Sequence, residues 1–167
     1  GTGQTGIYSN KGRVNVKSTT SAKISIVGEN GKGIHVANGG SVSSNGYSYT
    51  LQDDNSYGIY AIDGDVGVVD GNFDLTGDNQ IGIYANNGDV NVNSSSAKIT
   101  VTGESGQGIC VENGGSVTST NYTYTLNGEK SKGIYAATDA LSINVTGGQF
   151  NIQGYNSFGI ESFLSGT

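Results

Sequence analysis

Carboxylates outnumber every other ionisable side chain in this sequence, and two carboxylates held in one site can serve as a general acid and a general base. Close pairs are Asp53 with Asp54 and Asp63 with Asp65. The single arginine, Arg13, and the single histidine, His35, lie in other segments of the chain. Because Asp in a glycine-rich segment is more often a turn former than a catalytic group, we interpret both pairs as turn residues.

Other catalytic signatures are absent from the sequence. It contains neither the nucleophile-elbow motif G-x-S-x-G nor the zinc-binding motif H-E-x-x-H. The only cysteine, Cys110, excludes an intramolecular disulfide and a zinc site built from several cysteines. We therefore predict that the protein is not an enzyme and that it holds no metal and no other cofactor.

One acidic position recurs along the chain, four residues before a repeated Gly-Ile dipeptide. Its members are Glu29, Asp54, Asp78, Glu104 and Glu129. Calcium takes oxygen ligands from such carboxylates. The glycine-rich calcium-binding nonapeptide does not occur, however, and turn residues of this kind project into water. We predict a solvated acidic edge in preference to a cation site.

The Gly-Ile dipeptide organises the whole chain. It recurs with spacings of 27, 25, 24, 26, 25 and 26 residues, starting at Gly6, Gly33, Gly58, Gly82, Gly108, Gly133 and Gly159. Within each unit apolar residues alternate with small polar ones, which is the pattern of half-buried strands and not of helices. Three short strands per unit follow, separated by turns, and the first turn carries Asn-Gly or Asp-Gly at Asn38, Asp63, Asn87 and Asn113.

Such a unit cannot bury its own apolar side chains, whereas stacked units can. We therefore predict an all-β fold, a right-handed parallel β-helix (β-solenoid) of about six to seven coils of 24–27 residues with three short strands per coil. Residues 31–51 reappear as residues 106–126 with 14 of 21 positions identical, which predicts a duplicated three-coil block, 6–81 and 82–158. We expect one β-helix segment over 1–167, excised from a longer rod.

Alternation also predicts which side chains face the core. The inward set is Val14, Val16, Ile24, Ile26, Ile34, Val36, Ile59, Ile83, Val90, Val92, Ile99, Val101, Ile109, Val111, Ile134, Ile143, Val145 and Ile152. On the third strand we expect two further inward groups, each with two tyrosines that need hydrogen-bond partners. They are Tyr47, Tyr49 and Leu51, and Tyr122, Tyr124 and Leu126.

The residues that follow the Gly-Ile isoleucines should form one outward column. That column is Tyr8, His35, Tyr60, Tyr84, Cys110, Tyr135 and Glu161. Tyrosine has a high β propensity and stacks well along a strand ladder, so the column has a purely structural interpretation. Aromatic groups are also enriched at interfaces, which makes Tyr8, His35, Tyr60, Tyr84 and Tyr135 candidate binding residues. The same parity predicts an exposed, reactive thiol at Cys110 that forms a disulfide dimer on oxidation.

Charge and hydropathy exclude some partners. The net charge is −6 and the eight Lys and Arg residues are scattered, so no basic stripe exists to bind nucleic acid. No segment approaches the roughly 20 consecutive apolar residues of a membrane-spanning helix.

The coil length, the strand G-I-Y-A at 82–85 and the Asn-Gly turns resemble the right-handed β-helix passengers of type V autotransporters. Among these, the sequence is most similar to the large fusobacterial outer-membrane adhesins. The resemblance implies the surface of a Gram-negative bacterium, a parent protein anchored by an outer-membrane β-barrel, and adhesion to a protein or glycan receptor of a host or bacterial surface. Residues 137–140, Ala-Thr-Asp-Ala, depart from the usual glycine turn.

These observations predict a cell-surface passenger segment that acts as an adhesin or as a rigid display stalk. The alternative is a structural filament subunit. Neither end of the sequence carries a polar cap, and bare parallel edges favour end-to-end self-association.

Overall fold

The computed structural model describes residues 2–137 and 139–163, and these residues form seventeen β-strands and no helix. In chain order the strands are β1 (Thr5–Asn10), β2 (Arg13–Ile26), β3 (Lys32–Ala37), β4 (Ser41–Leu51), β5 (Tyr57–Ile62), β6 (Val66–Val69), β7 (Asn72–Leu75), β8 (Ile81–Asn86), β9 (Val90–Asn93), β10 (Lys98–Val101), β11 (Gln107–Glu112), β12 (Ser116–Thr120), β13 (Thr123–Leu126), β14 (Lys132–Ala136), β15 (Ser142–Thr146), β16 (Gln149–Ile152) and β17 (Phe158–Ser162).

The Gly-Ile segments form one seven-stranded parallel sheet, in the order β1-β3-β5-β8-β11-β14-β17. Its register places the isoleucine of each dipeptide beside the isoleucine of the next, as Ile34 beside Ile59 and Ile59 beside Ile83. Each strand thus pairs with its counterpart one coil away. The predicted fold class is confirmed, because the chain is an all-β solenoid of about six turns built from stacked parallel sheets.

The other two faces of the coil share a ten-stranded parallel sheet. From the third coil onward each coil contributes two short strands to this sheet, as predicted. In the first two coils they are fused into the long strands β2 and β4, and β4 pairs with β6 through its first half and with β7 through its second. Gly46 bends β4 with a φ of 70° without ending it, whereas Asp70, with a φ of 52°, separates β6 from β7.

The core is a column of aliphatic and aromatic side chains that runs the length of the solenoid. Most of the predicted inward residues are buried in it, and Val16, Ile24 and Ile143 pack against it while partly exposed. Val145 and Ile152 occupy inward positions but are 36% and 44% exposed, which corrects the prediction for these two. They belong to the last coil, and within the described residues no further coil covers them.

Three of the four predicted inward tyrosines, Tyr49, Tyr122 and Tyr124, are buried, and their hydroxyls have partners. Tyr49 shares a 2.7 Å hydrogen bond with Ser44, and Tyr124 shares a 2.8 Å hydrogen bond with Ser119. Tyr122 donates a 2.6 Å hydrogen bond to the carbonyl of Gly71. Tyr47 is only half-buried but packs against the core.

A steric limit explains why the first residue of the Gly-Ile dipeptide is glycine. A Cβ added to Gly33 would lie 2.6 Å from the carbonyl oxygen of Gly58, and a Cβ on Gly108 would lie 2.6 Å from the carbonyl oxygen of Gly133. Only glycine lets the coils approach this closely. A glycine at this position in every coil therefore keeps the distance between coils constant and the isoleucines aligned.

The atypical turn at residues 137–140 leaves the register intact. Thr138 lies outside the described residues, and Asp139 adopts a φ of 68°. Beyond the turn, Ser142 pairs with Ser116 and Ile143 pairs with Val117, as in the preceding coils.

Candidate functional site

The predicted outward column exists as a physical ladder on the seven-stranded sheet. Its successive members are register partners: Tyr8 with His35, His35 with Tyr60, Tyr60 with Tyr84, Tyr84 with Cys110, Cys110 with Tyr135 and Tyr135 with Glu161. From the second to the sixth coil the isoleucine before each column residue and the Val or Ala after it are buried, so strand alternation turns the column outward.

The column is less accessible than the sequence suggests. Tyr8, in the first coil, is 58% exposed, whereas His35, Tyr60, Tyr84 and Tyr135 are half-buried against one another and against their neighbours. Their positions follow the prediction, and their role in binding remains a prediction.

A second outward column, which the sequence analysis missed, runs beside the first. It consists of the residues that precede the dipeptide: Thr5, Lys32, Tyr57, Ile81, Gln107, Lys132 and Phe158. The signal was present in the sequence, since these residues stand at the same repeat position. It was obscured because the glycine between the two columns breaks the simple alternation.

In the first four coils the two columns merge into a continuous surface that we call the aromatic face, defined by Tyr8, Lys32, His35, Tyr57, Tyr60, Ile81 and Tyr84. The ring of His35 lies edge-on between Tyr8 and Tyr60, with centroid distances of 5.1 and 5.0 Å. Tyr60 and Tyr84 stack at 4.9 Å with an interplanar angle of 14°. Tyr57 meets Tyr60 edge-to-face at 4.9 Å. Such pairs stabilise the ladder beyond the area that they bury.

Lys32 supplies the positive charge of the aromatic face. Its Nζ lies 5.4 Å from the ring centroid of Tyr57 and 5.0 Å from that of Tyr60, within range of a cation–π interaction. Within the described residues Lys32 forms no ion pair. Burial, with a further contribution from the Lys32 charge, lowers the pKa of His35 and so disfavours its protonated form.

Carboxylates are absent from the strands of this face in its first four coils. The strand residues there are 5–10, 32–37, 57–62 and 81–86, and their only ionisable groups besides tyrosine are Lys32 and His35. The protein as a whole has a net charge of −6. The strands of the aromatic face therefore carry one positive charge, that of Lys32, and the nearest carboxylate of the same sheet is that of Glu112 in the next coil, beside Tyr84.

The next coil of the same sheet carries a closed polar network. Tyr84 donates a 2.7 Å hydrogen bond to Glu112 Oε2 and accepts a 3.2 Å hydrogen bond from Asn86 Nδ2. The Cys110 thiol lies 4.0 Å from Glu112 Oε1. Cys110 is only 2% exposed, and burial together with the Glu112 charge raises the pKa of its thiol to about 12.

The prediction of an accessible thiol was therefore wrong, although the outward parity of Cys110 was right. Cysteine is the shortest side chain in its column, and its register partners are Tyr84 and Tyr135. The taller neighbours exclude water from the sulfur, and the protonated thiol is a poor nucleophile. Oxidation to a disulfide dimer is not expected from this geometry.

The far end of the sheet has its positive charges neutralised. Lys132 Nζ lies 2.7 Å from Glu161 Oε2 and 4.0 Å from the ring centroid of Tyr135. Lys130 lies 2.8 Å from Glu104 and forms a second ion pair with Glu129. An open groove there is lined by Asn79, Ser105, Gln107, Lys130, Lys132, Asn156 and Phe158. Both lysines of the groove are therefore paired with carboxylates, unlike Lys32.

The acidic turn column has a structural task. Asp54 Oδ1 accepts a 2.8 Å hydrogen bond from the backbone N–H of Asp78, and Asp78 Oδ1 accepts one of the same length from the N–H of Glu104. These two carboxylates thus join their turns to the next coil. Among the described residues, no group of three or more His, Cys, Asp or Glu side chains is placed to hold a metal ion.

Comparison with known proteins finds no relative of this chain. No family model matches it, and no match exists among curated proteins or solved structures. Within 2–137 and 139–163, no helix has the length and apolarity that a membrane crossing requires.

Proposed function

We propose that the chain is a passenger segment of a bacterial surface autotransporter, acting as an adhesin or a rigid display stalk and having no catalytic activity. The observation that supports this most directly is the constant register of the seven-stranded sheet. Each coil adds about 4.8 Å to the length, so six coils extend about 30 Å. A solenoid that grows by stacking identical modules gives reach and stiffness, which are the properties that surface display needs.

The aromatic face supports adhesion in addition to display. Its rings and its unpaired lysine exceed what a spacer requires, and aromatic residues dominate the energetics of most interfaces. The proposed location is the surface of a Gram-negative bacterium, with an outer-membrane β-barrel anchoring the parent protein. The proposed receptor is a surface protein or glycan. These assignments rest on the resemblance of the coil pattern to autotransporter passengers.

The filament alternative has one favourable observation. Large apolar side chains are exposed in the last coil, among them Leu141, Ile152, Phe158, Ile160 and Phe163. One feature opposes it. The free edge of β2 carries Arg13, Lys17 and Lys23, and charges on an edge strand oppose strand addition.

Adhesion is tested with beads coated with the purified chain and presented to epithelial cells and to other bacteria. Specific attachment, blocked by excess soluble chain, is the expected result for an adhesin. Attachment no greater than that of beads coated with an unrelated acidic protein would leave only the display function.

The filament alternative is tested by sedimentation velocity over a hundredfold range of concentration. We expect one species with the mass of the monomer, whereas species that lengthen with concentration would favour the filament.

A further inference from the structure

We propose that the aromatic face binds an acidic glycan, a polymer of carboxylated sugars, lying along the rod axis. The inference rests on the proposed adhesin function and names the class of receptor for it. The groups that carry it are Lys32, His35, Tyr57 and Tyr60, all on the outer side of the first coils of the seven-stranded sheet.

The first step is the unused bonding capacity of these side chains. Lys32 Nζ lies over the rings of Tyr57 and Tyr60 and has no carboxylate partner within the described residues. The hydroxyls of Tyr57 and Tyr60 likewise form no hydrogen bond there, in contrast to the hydroxyl of Tyr84. A half-buried ammonium group with two neighbouring hydroxyl donors is complementary to a carboxylate that is surrounded by hydroxyl groups.

The second step is the distribution of charge around the face. Eight aspartates lie between residues 53 and 89, and this segment contains no lysine or arginine. All eight lie outside the strands of the aromatic face, and Asp54, Asp63 and Asp78 lie in the turns that border it. An anion crossing the face from turn to turn would meet these carboxylates. An anionic polymer running along the axis, over Lys32 and His35, stays farthest from these turn carboxylates. Glu112, which accepts the hydrogen bond of Tyr84, limits the site at the far end of the face, so the polymer is centred on the coils of Lys32 and Tyr60.

The third step is the repeat of the surface. Equivalent positions recur about every 4.8 Å along the axis, because each strand is one coil from the next. Tyr60 and Tyr84 stack on each other, so their ring faces are partly covered and their rims and polar ends remain for contact. A polymer of regularly spaced hydroxyl and carboxylate groups meets such a ladder repeatedly. Many weak contacts then add up along one rigid surface.

The test uses two oligosaccharides of equal length, a hyaluronan tetrasaccharide, which carries a uronate in every second sugar and is about as long as the aromatic face, and a neutral chitin tetrasaccharide. Calorimetry at low and high salt is expected to show binding of hyaluronan that weakens with salt and at least tenfold weaker binding of the neutral oligomer. Lys32→Gln should weaken hyaluronan binding roughly tenfold, the loss of one charge-assisted hydrogen bond. Tyr60→Phe, which keeps the ring and removes the hydroxyl, should weaken it by a smaller factor.

The matched control is Lys98→Gln, since Lys98 is an exposed lysine on β10 of the other sheet. It should bind hyaluronan like the unmodified chain, and circular dichroism should show that all variants keep the fold. The proposal is overturned if the neutral oligomer binds equally well or if Lys98→Gln causes the same loss as Lys32→Gln. Equal binding of a polyglutamate peptide would also overturn it, because the face would then select only charge.

Failure of this inference is distinguishable from failure of the adhesin function. If coated beads attach to cells equally well before and after enzymatic removal of acidic glycans, the adhesin function stands and the acidic glycan is refuted as its receptor. A chain that binds hyaluronan in solution but gives no bead attachment would retain the glycan site and refute adhesion.

Discussion

The sulfur of Cys110 lies 4.0 Å from the carboxylate of Glu112, on the outer side of the sheet and yet almost completely shielded from water. Both features disfavour the thiolate, which raises the pKa of Cys110 to about 12. We therefore expect a maleimide reagent at pH 7.5 to leave the folded chain unlabelled for hours and to react at once in denaturant. Mass spectrometry measures both.

A matched control for this labelling is Tyr8→Cys in a Cys110→Ser background. Residue 8 occupies the same column but is 58% exposed, so its thiol should react within minutes in the folded protein. Rapid labelling of Cys110 itself in the folded chain would contradict the packing of Tyr84 and Tyr135 around it.

Gly108→Ala tests the close approach of neighbouring coils. The new methyl group would lie 2.6 Å from the carbonyl oxygen of Gly133, which is backbone of the next coil and cannot move without breaking the ladder. We expect the free energy of unfolding to fall by about 1–3 kcal/mol, the usual cost of overpacking, as measured by urea denaturation.

Gly67→Ala is the control for that experiment. Gly67 also lies in a parallel strand, β6, but the nearest atom to a Cβ there is the carbonyl oxygen of Val42 at 3.8 Å, an ordinary contact. Its stability should therefore be unchanged or slightly higher, because alanine restricts the unfolded chain more than glycine does. Equal losses in the two variants would show that the dipeptide glycine has no special steric role.

The sequence predicts what depends on the repeat period and fails where side chains of different coils meet. The spacing of Gly-Ile determines which residues become neighbours, so the ladder from Tyr8 to Glu161 could be derived in advance. The burial of Cys110 could not, because it depends on the heights of side chains one coil away in each direction. The position of Lys32 over Tyr57 and Tyr60 was missed for a related reason, since the steric demand on Gly33 became evident only from the stacked coils.

The buried hydroxyl of Tyr49 predicts loss of stability at alkaline pH. Burial raises the pKa of Tyr49 from 10.0 to about 12, although its hydrogen bond with Ser44 acts in the opposite direction. Since the folded state holds the proton more tightly than the unfolded state, this contribution is fully present below pH 10. It is lost as the pH rises from 10 towards 12. Burial raises the pKa values of Tyr122 and Tyr124 as well, which adds to the effect.

Tyr49→Phe isolates that contribution. The variant leaves the Ser44 hydroxyl without its partner, so we expect it to be less stable than the unmodified chain by about 1–2 kcal/mol at pH 7. The difference should shrink between pH 10 and pH 12, because phenylalanine has no proton to lose. Thermal melts followed by circular dichroism at a series of pH values provide the measurement. A difference that stays constant up to pH 12 would show that Tyr49 titrates normally in the folded state.

The last prediction concerns spontaneous deamidation, in which the backbone nitrogen of the following residue attacks the asparagine carboxamide and releases ammonia before water opens the succinimide. The reaction favours Asn-Gly, and the chain has six such dipeptides, at Asn30, Asn38, Asn45, Asn87, Asn113 and Asn127. Their structural environments differ. The N–H groups of Gly31, Gly39 and Gly128 donate hydrogen bonds, and Asn45 lies inside β4 with ladder partners on both sides.

Two dipeptides therefore remain, Asn87-Gly88 and Asn113-Gly114, and they differ in one hydrogen bond. Asn87 Nδ2 donates a 3.0 Å hydrogen bond to Asp63 Oδ1, whereas the Asn113 carboxamide and the Gly114 N–H form no hydrogen bond within the described residues. We expect Asn113 to deamidate first when the folded protein is kept at pH 8 and 37 °C. Peptide mapping by mass spectrometry should find the mass increase in the peptide that contains Asn113. Asp63→Ala, which frees Asn87, should bring its rate up to that of Asn113, and an unchanged rate at Asn87 would show that the hydrogen bond does not protect it.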